Sequence, residues 1–386
     1  MQALDDIFVL DLSRVLAGPW ATQILADLGA DVVKVERPDT GDDTRGWGPP
    51  FLRDPVSGEA GDASYYLCAN RGKRSIAVDL ATAEGQDVIR RLAAQADVLV
   101  ENYKVGGLKK YGLDYESLRQ INPRLIYCSI TGFGQTGPYA PRAGYDFMIQ
   151  AMGGMMSVTG ERDDLPGGGP QKAGVAFADL VTGLYATIGI LAALNQRHRS
   201  GRGQYIDIAL LDTQVAALSN HAMYYFISGQ VPQRVGNGHA TIVPYQSFPT
   251  ADGYLIIAVG NDGQFRKLAE ELGRPDWASD QRFATNAARV VNRTTLLPLI
   301  EAETRKWATD KLLAVLEHRH VPCGPINTID KVFADPHVVA RALKQEVPHT
   351  TQGHILTVAS PLRLSDSPVS YHRGPPLLGE HTEGGA

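Results

Sequence analysis

Three cysteines in 386 residues, Cys68, Cys128 and Cys323, are too few and too scattered to frame a disulfide-stabilised fold or a zinc site. They read as reduced thiols of a cytosolic protein. Positive charge is not in excess either. The chain has 37 Lys and Arg against 42 Asp and Glu, a net charge of −5, which gives no general pull toward nucleic acid or anionic membrane. Residues 1–12 carry Asp5, Asp6 and Asp11 and no basic side chain, unlike a secretory leader. The apolar run after Asp179 reads as too short and too interrupted for the roughly 20 apolar residues of a bilayer crossing. Internal repeats, low-complexity blocks and a G-x-S-x-G nucleophile turn are absent. His221 and His239 have no carboxylate or cysteine at metal-ligand spacing, so no metal site is expected. What is present is a composition of 44% hydrophobic and 20% charged residues, that of an ordinary globular protein long enough for two domains.

Against this background Asp179 stands out. It is the only charged side chain between Lys172 and Arg197, in a run that begins Ala173-Gly-Val-Ala-Phe-Ala-Asp-Leu-Val-Thr-Gly. A carboxylate in apolar surroundings must be neutralised, hydrogen-bonded or used chemically. Gly174, Ala176, Ala178 and Gly183 leave room for a ligand to approach. Two readings stand at this point: a nucleophile near the start of a buried helix, or an Asp that merely caps that helix.

The periodicity gives the frame. Strands are expected at Ile7–Leu12, Asp31–Glu36, Ser75–Asp79, Asp97–Val100, Leu125–Ile130 and Tyr205–Leu210. Helical patterns at Pro19–Leu28 and Glu84–Ala94 alternate with them, which argues for an open, mostly parallel α/β sheet. Residues 39–62 and 160–172 read as loops, and Leu211–Ile227 as one helix. Residues from about 230 to 325 form a smaller α/β unit, with a strand at Tyr254–Val259 and helices near 264–272 and 295–318. The C-terminal stretch, with the strand-like His354–Val358, lacks bulk of its own and is expected to pack back on the first domain.

A literal G-x-G-x-x-G occurs at Gly132-Phe-Gly-Gln-Thr-Gly137. Pro138 and Pro141 follow at once, so no helix can open there to hold a dinucleotide pyrophosphate, and a tight turn is expected. Arg37, Lys73, Arg74, Lys104, Lys109 and Lys110 gather near expected strand ends, where an open sheet binds ligands and where a phosphorylated nucleotide would need cations. For any single one of them, solvated surface charge is the simpler reading.

Several separated segments together resemble a known family, the class III CoA-transferases, which also includes the 2-methylacyl-CoA racemases. They are Leu10–Gln23 (LDLSRVLAGPWATQ), Leu28–Pro38 (LGADVVKVERP), Gly41-Asp-Asp-Thr-Arg45 and Asn70–Leu80 (NRGKRSIAVDL). Val100-Glu-Asn-Tyr103, Gly134–Tyr139 (GQTGPY) and Gly201–Asp207 (GRGQYID) continue the match. The resemblance runs over nearly the whole chain. It implies an α/β fold: a large domain with a Rossmann-like open parallel sheet from residues 1–200 and 330–386, and a smaller α/β domain at 228–325. Linkers at 201–227 and 326–335 join them, and two chains interlock as a homodimer.

It further implies that Asp179 is the catalytic aspartate. Coenzyme A contacts carry over to Leu16, Ala17, Arg37, Val78, Asp79, Leu80, Ala81, Asn102, Tyr103, Lys104 and Lys110, with Arg142, Tyr145 and Asp146 completing the set. No tightly bound cofactor is implied; coenzyme A enters as acyl-CoA substrate, in a cytoplasmic enzyme with no nucleic-acid or membrane partner. The mechanism needs an ionised Asp179, which a helix N-terminus favours. Racemases of the family use a histidine in a Gly-His-Asp segment; Gly144-Tyr145-Asp146 stands here, and tyrosine is a weak base near neutral pH. A non-catalytic CoA-binding protein is the alternative of another class, but it gives no reason for a lone carboxylate in the apolar run. Val243–Phe248 (VPYQSF), Asp252-Gly-Tyr254 and Gly260–Phe265 (GNDGQF) resemble the dicarboxylate branch, so succinyl-CoA as donor and a small dicarboxylate as acceptor are expected.

Overall fold

The computed structural model describes residues 2–383. Its centre is a six-stranded sheet. β1 (Phe8–Asp11), β2 (Asp31–Glu36), β3 (Lys73–Ala77), β4 (Val98–Glu101), β5 (Ile126–Thr131) and β6 (Tyr205–Ala209) run in the spatial order 3-2-1-4-5-6. Every neighbouring pair is parallel. This is the strand order of dinucleotide-binding sheets, with its reversal between β1 and β4. Ligands of such sheets bind beyond the carboxyl ends of the strands at that reversal. Here that is the chain after Asp11 and the chain after Glu101.

Strand side chains alternate between two cores. Val9, Val32, Val98, Val100, Ile126 and Cys128 point to one face. They meet α1 (Ala17–Asp27) and the long α4 (Phe177–Ser200) through Ala21, Leu25, Ala186 and Ile190. Leu10, Val33, Val35, Leu99 and Tyr127 face the other side and meet Ile89, Leu92 and Ala93 of α2 (Ala83–Gln95). Two further helices complete the frame near the site: α3 (Asp146–Met152) and α5 (Leu210–Ala216). Gly183 lets α4 pass close to α1: a Cβ there would lie 2.8 Å from the carbonyl oxygen of Ala17 and 3.0 Å from Trp20. That approach brings the first turn of α4 to the loop preceding α1.

The chain divides into two compact units: Met1–Met155 with Ala173–Ser228 and Pro336–Ala386, and Met156–Lys172 with Gly229–Asp335. Three boundaries differ from those expected, the first being that residues 326–335 belong to the second unit and not to a linker. Residues 201–227 are not a linker, because β6 pairs with β5 as the edge strand of the main sheet. Residues 156–172 belong to the second unit, where Asp163 pairs with Arg234. The second unit holds a three-stranded antiparallel sheet, with β8 (Tyr254–Ala258) between β7 (Tyr245–Pro249) and β9 (Cys323–Pro325). Phe248, Leu255, Ile257, Phe265, Trp277 and Leu312 fill its own core.

Other expectations are corrected locally. The single helix expected over 211–227 breaks into α5 and Asn220–Ser228 around Ser219, whose φ is +49°. The helical stretch 295–318 is likewise two helices, Arg293–Thr304 and Thr309–His318. Helix α4 is neither too short nor wholly buried. By length and composition alone it is the one helix among the described residues able to cross a membrane. One face packs in the core, while Leu184, Ile188 and Leu191 remain exposed, Ile188 at 60%.

The stretch 39–62 is not plain loop. Two of its charged residues, Asp42 and Arg45, are buried and join a network with Lys34 and Glu36 of β2. Arg45 grips Glu36 with two nitrogens (2.6 and 2.8 Å), and also reaches Asp62 and the hydroxyl of Tyr66. Lys34 and Asp42, both fully buried, pair at 2.8 Å. Burial alone would raise the Asp42 carboxyl, but the Lys34 ammonium and the hydrogen bonds from Lys34 and Thr44 together outweigh it and hold the group at about 2. Lys73, read from sequence as a surface or ligand cation, is also fully buried. It sits at the start of β3 and bonds Asp11, Asn70 and the carbonyl of Pro19. Arg74 beside it pairs with Asp31.

Candidate active site

The loop between β1 and α1 is built by these buried charges. Lys34 Nζ donates to the carbonyl of Ser13 at 2.9 Å, and Asp42 accepts the Val15 N–H on both oxygens at 3.2 Å. Val15 is held at φ +71°, a left-handed conformation that costs a β-branched residue about 1–3 kcal/mol. Asn102, directly after β4, clips the neighbouring residue: its amide accepts from Arg14 N–H (2.9 Å) and donates to Arg14 C=O (2.7 Å). The two loops at the sheet reversal are thus fixed to each other.

Between them opens a recess of about 450 Å³. Leu16, Ala17, Asn102, Tyr103, Lys104, Lys110, Arg142 and Tyr145, all singled out from sequence, line it together with Asp179. A smaller recess of about 160 Å³ is lined by Arg37, Val78, Asp79, Leu80 and Ala81. Arg14, Tyr103 and Tyr111 line both, so the two recesses share a wall. Gly132 and Gly144 shape the far side. A Cβ on Gly132 would lie 2.5 Å from the Gly144 Cα, so these backbones touch directly. No helix follows Gly137, as Pro138 and Pro141 require.

Asp179 is the third residue of α4 and opens on the larger recess; it is half-buried, not sealed in the core. It does not cap its helix. Asp146 does so from α3, its Oδ1 accepting the N–H groups of Ala178 (2.8 Å) and Asp179 (3.3 Å). Gln150 holds the other Asp146 oxygen at 2.7 Å. Asp146, expected against coenzyme A, is therefore outside the recess lining and bound to the helix end. The expectation that the helix N-terminus keeps Asp179 ionised is corrected with it, because those N–H groups serve Asp146. Burial, and then the like charge of Asp146, push the Asp179 carboxyl up to about 7.

Sequence reading missed three neighbours. Arg14 lines both recesses, and Val15 carries the strained turn. Tyr65 packs edge-on against Trp47, with ring centroids 5.4 Å apart. Its phenol is pushed up to about 12 by burial and then by the Asp179 charge, which marks it as a neighbour of that carboxylate. Nothing in the local pattern around Tyr65 signals this, since folding alone brings the phenol within range of that charge.

Glu101, the last residue of β4, is 6% exposed and accepts the Tyr103 N–H at 2.7 Å. No cation pairs with it among the described residues, and burial pushes its carboxyl up to about 7. The folded value lies above the unfolded one, near 4.5. The native state therefore binds the extra proton, and stability from this group is lost as pH rises through that window. Glu101→Gln, which resembles the protonated form, is expected to raise the melting temperature relative to wild type at pH 8 and to gain little at pH 4.5. An equal difference at both pH values in calorimetry would contradict this.

Among the described residues no group of three or more His, Cys, Asp or Glu could hold a metal ion. The fold and recess thus define an α/β enzyme with a cation-lined ligand run ending at a carboxylate of raised basicity. Comparison with known proteins makes that class specific. The model of CoA-transferase family III matches residues 4–382, and the chain belongs to that family. It is 56% identical to the succinate–glutarate CoA-transferase of Agrobacterium fabrum, over 98% of this chain and 93% of that one. Identity to the human succinyl-CoA:glutarate CoA-transferase is 45%, over 99% and 85% of the two chains. A CAIB/BAIF family protein from Brucella suis, solved by crystallography, superposes with a TM-score of 0.88 at 55% identity, covering 99% of this chain and 98% of that one.

Proposed function

We propose that this CoA-transferase moves coenzyme A from succinyl-CoA to a small dicarboxylate such as glutarate, with Asp179 as the covalent nucleophile. The observation that carries the reading is the Asp179 carboxylate. It faces the recess with no cation paired to it among the described residues and with its basicity raised toward neutrality. Both relatives described above bear names of succinate or succinyl-CoA:glutarate transfer.

In this mechanism an Asp179 oxygen attacks the thioester carbonyl. The C–S bond breaks, coenzyme A leaves as thiolate, and a mixed anhydride joins Asp179 to the succinyl group. The thiolate attacks the aspartyl carbonyl, releasing succinate and leaving an aspartyl-CoA thioester. The acceptor carboxylate attacks that thioester and expels the thiolate, which then takes the acceptor acyl group from the second anhydride and frees Asp179. A hard exchange is divided into easier covalent steps. Each acyl intermediate hydrolyses if water reaches it, which the apolar start of α4 opposes. Leu16, Ala17, Tyr103 and Lys104 would line the pantetheine arm, and Arg37 with residues 78–81 the nucleotide. The exposed stripe of Leu184, Ile188 and Leu191 on α4 supports a homodimer that covers it.

The test is an acceptor screen with succinyl-CoA against mono- and dicarboxylates, read by mass spectrometry, with hydroxylamine trapping at Asp179. Glutaryl-CoA and related dicarboxylate thioesters are expected, with a hydroxamate on the Asp179 peptide only when succinyl-CoA is present. Transfer to monocarboxylates alone would overturn the acceptor class, and turnover without any trapped adduct would overturn the covalent step.

A further inference from the structure

Among the described residues Arg14 is the one cation on the wall shared by the two recesses, whose other common residues are Tyr103 and Tyr111. Its position is unusually constrained. Asn102 holds its backbone on both sides. Asp43 holds its side chain, with Arg14 Nη1 to Oδ2 at 2.8 Å, and the other Asp43 oxygen takes Arg37 Nη2 at 2.6 Å. The guanidinium lies 5.6 Å from the centroid of the Tyr103 ring, within cation–π range. One carboxylate thus braces two guanidiniums while using a single nitrogen of each. Arg14 Nε is buried without a hydrogen-bond partner among the described residues, but the side chain as a whole is 35% exposed, so the N–H groups that Asp43 does not take are open to a ligand oxygen.

We propose that Arg14 binds the diphosphate of the acyl-CoA, with Asp43 as its positioning residue. This rests on the reading of the two recesses as the coenzyme A site. An acyl-CoA has its thioester at one end, its adenosine 3′-phosphate at the other, and the diphosphate between pantetheine and nucleoside. With the thioester at Asp179 in the larger recess and the nucleotide against Arg37 and residues 78–81 in the smaller, the diphosphate falls on the shared wall. A planar guanidinium with free N–H groups suits two bridged phosphates better than a single ammonium does. Arg37 lines only the smaller recess, so it cannot substitute at the junction.

The experiment compares kcat/KM for three donors: succinyl-CoA, its 3′-dephospho form, and succinyl-pantetheine, which lacks the diphosphate. Arg14→Gln is expected to lower kcat/KM about tenfold for both diphosphate-bearing donors and to leave succinyl-pantetheine unchanged. The loss should sit in KM, with kcat kept, since the diphosphate is remote from the reacting carbon. Should Arg14→Gln fail to fold, Arg14→Lys carries the test. It keeps the charge and loses the fork, and a smaller loss confined to the same two donors is expected. Equal loss on all three donors, or none on any, overturns the assignment. A wild-type enzyme that uses succinyl-pantetheine as well as succinyl-CoA would instead overturn the reading of the recesses.

Discussion

Asp179→Ala is expected to reduce CoA transfer by at least about 10³-fold while coenzyme A binding, measured by calorimetry, stays close to wild type. The reasoning starts from geometry. The carboxylate opens on the larger recess near the loop of Leu16 and Ala17, and makes no ion pair among the described residues. Removing it takes away the proposed nucleophile and one half-buried charge but none of the cations Arg14, Arg37, Lys104 or Lys110. Asp179→Asn keeps the shape and should be as inactive, which separates the chemistry from packing. The same group sets the pH response. Its carboxyl lies at about 7, and only the ionised form attacks. In the wild-type enzyme kcat/KM should therefore fall about tenfold per pH unit below 7. Asp146→Asn removes the like charge yet can still accept the N–H groups of α4, so it should move that midpoint to lower pH. Wild-type turnover by Asp179→Ala would refute the nucleophile, and a pH-independent rate would refute the account of its titration.

Arg45→Ala is the second large effect, and it acts on stability. Arg45 and Glu36 have side chains only 9% and 1% exposed, and Arg45 is the cation bonded directly to Glu36. Ser75 Oγ and Asp42 N–H also bond Glu36, but neither neutralises it. Truncating the arginine leaves a buried carboxylate without its partner, a change that costs about 3–5 kcal/mol. Most of that cost is the stranded charge and not the value of the pair. Glu36→Gln in the same chain should therefore recover a substantial part of it, visible as a return of the urea midpoint. If the double variant is no more stable than Arg45→Ala, the loss comes from packing on Tyr66 instead. Because Asp42 N–H also rests on Glu36 and Asp42 holds Val15, part of the damage should reach the recess.

Much of the frame was legible before folding. The apolar runs at β1, β4 and β5 fall where they were expected, because a strand buried on both faces leaves a continuous apolar signature, and β2 falls in place although Lys34 and Glu36 interrupt its run. Asp179 was conspicuous for a related reason: one charge in a long apolar run is a local anomaly. The prolines after Gly137 were enough to exclude a dinucleotide helix at the glycine pattern. Of the fifteen site residues implied by the motif resemblance, all but Asp146 line one of the two recesses, Leu16, Asn102, Tyr103 and Lys104 among them. The misreadings share another cause. Lys73 looks like a surface charge in sequence and Arg45 falls in a stretch read as loop, and only the partners Asp11 and Glu36, 62 and 9 residues away, show that they are buried.

The amino-acid sequence by itself determined the sheet, the placing of its loops and the one carboxylate that apolar neighbours cannot hide, since these follow from short-range pattern. Only the tertiary structure decided the state of that carboxylate. Asp146 arrives from 33 residues away, takes the helix N–H groups and adds its own charge, so Asp179 is left more basic than its position in a helix would suggest. It likewise decided that Arg14 stands on the wall shared by two recesses, because Asn102 and Asp43 converge on it from separate loops. Charge pairing and burial are properties of distance in space, and sequence spacing does not carry them.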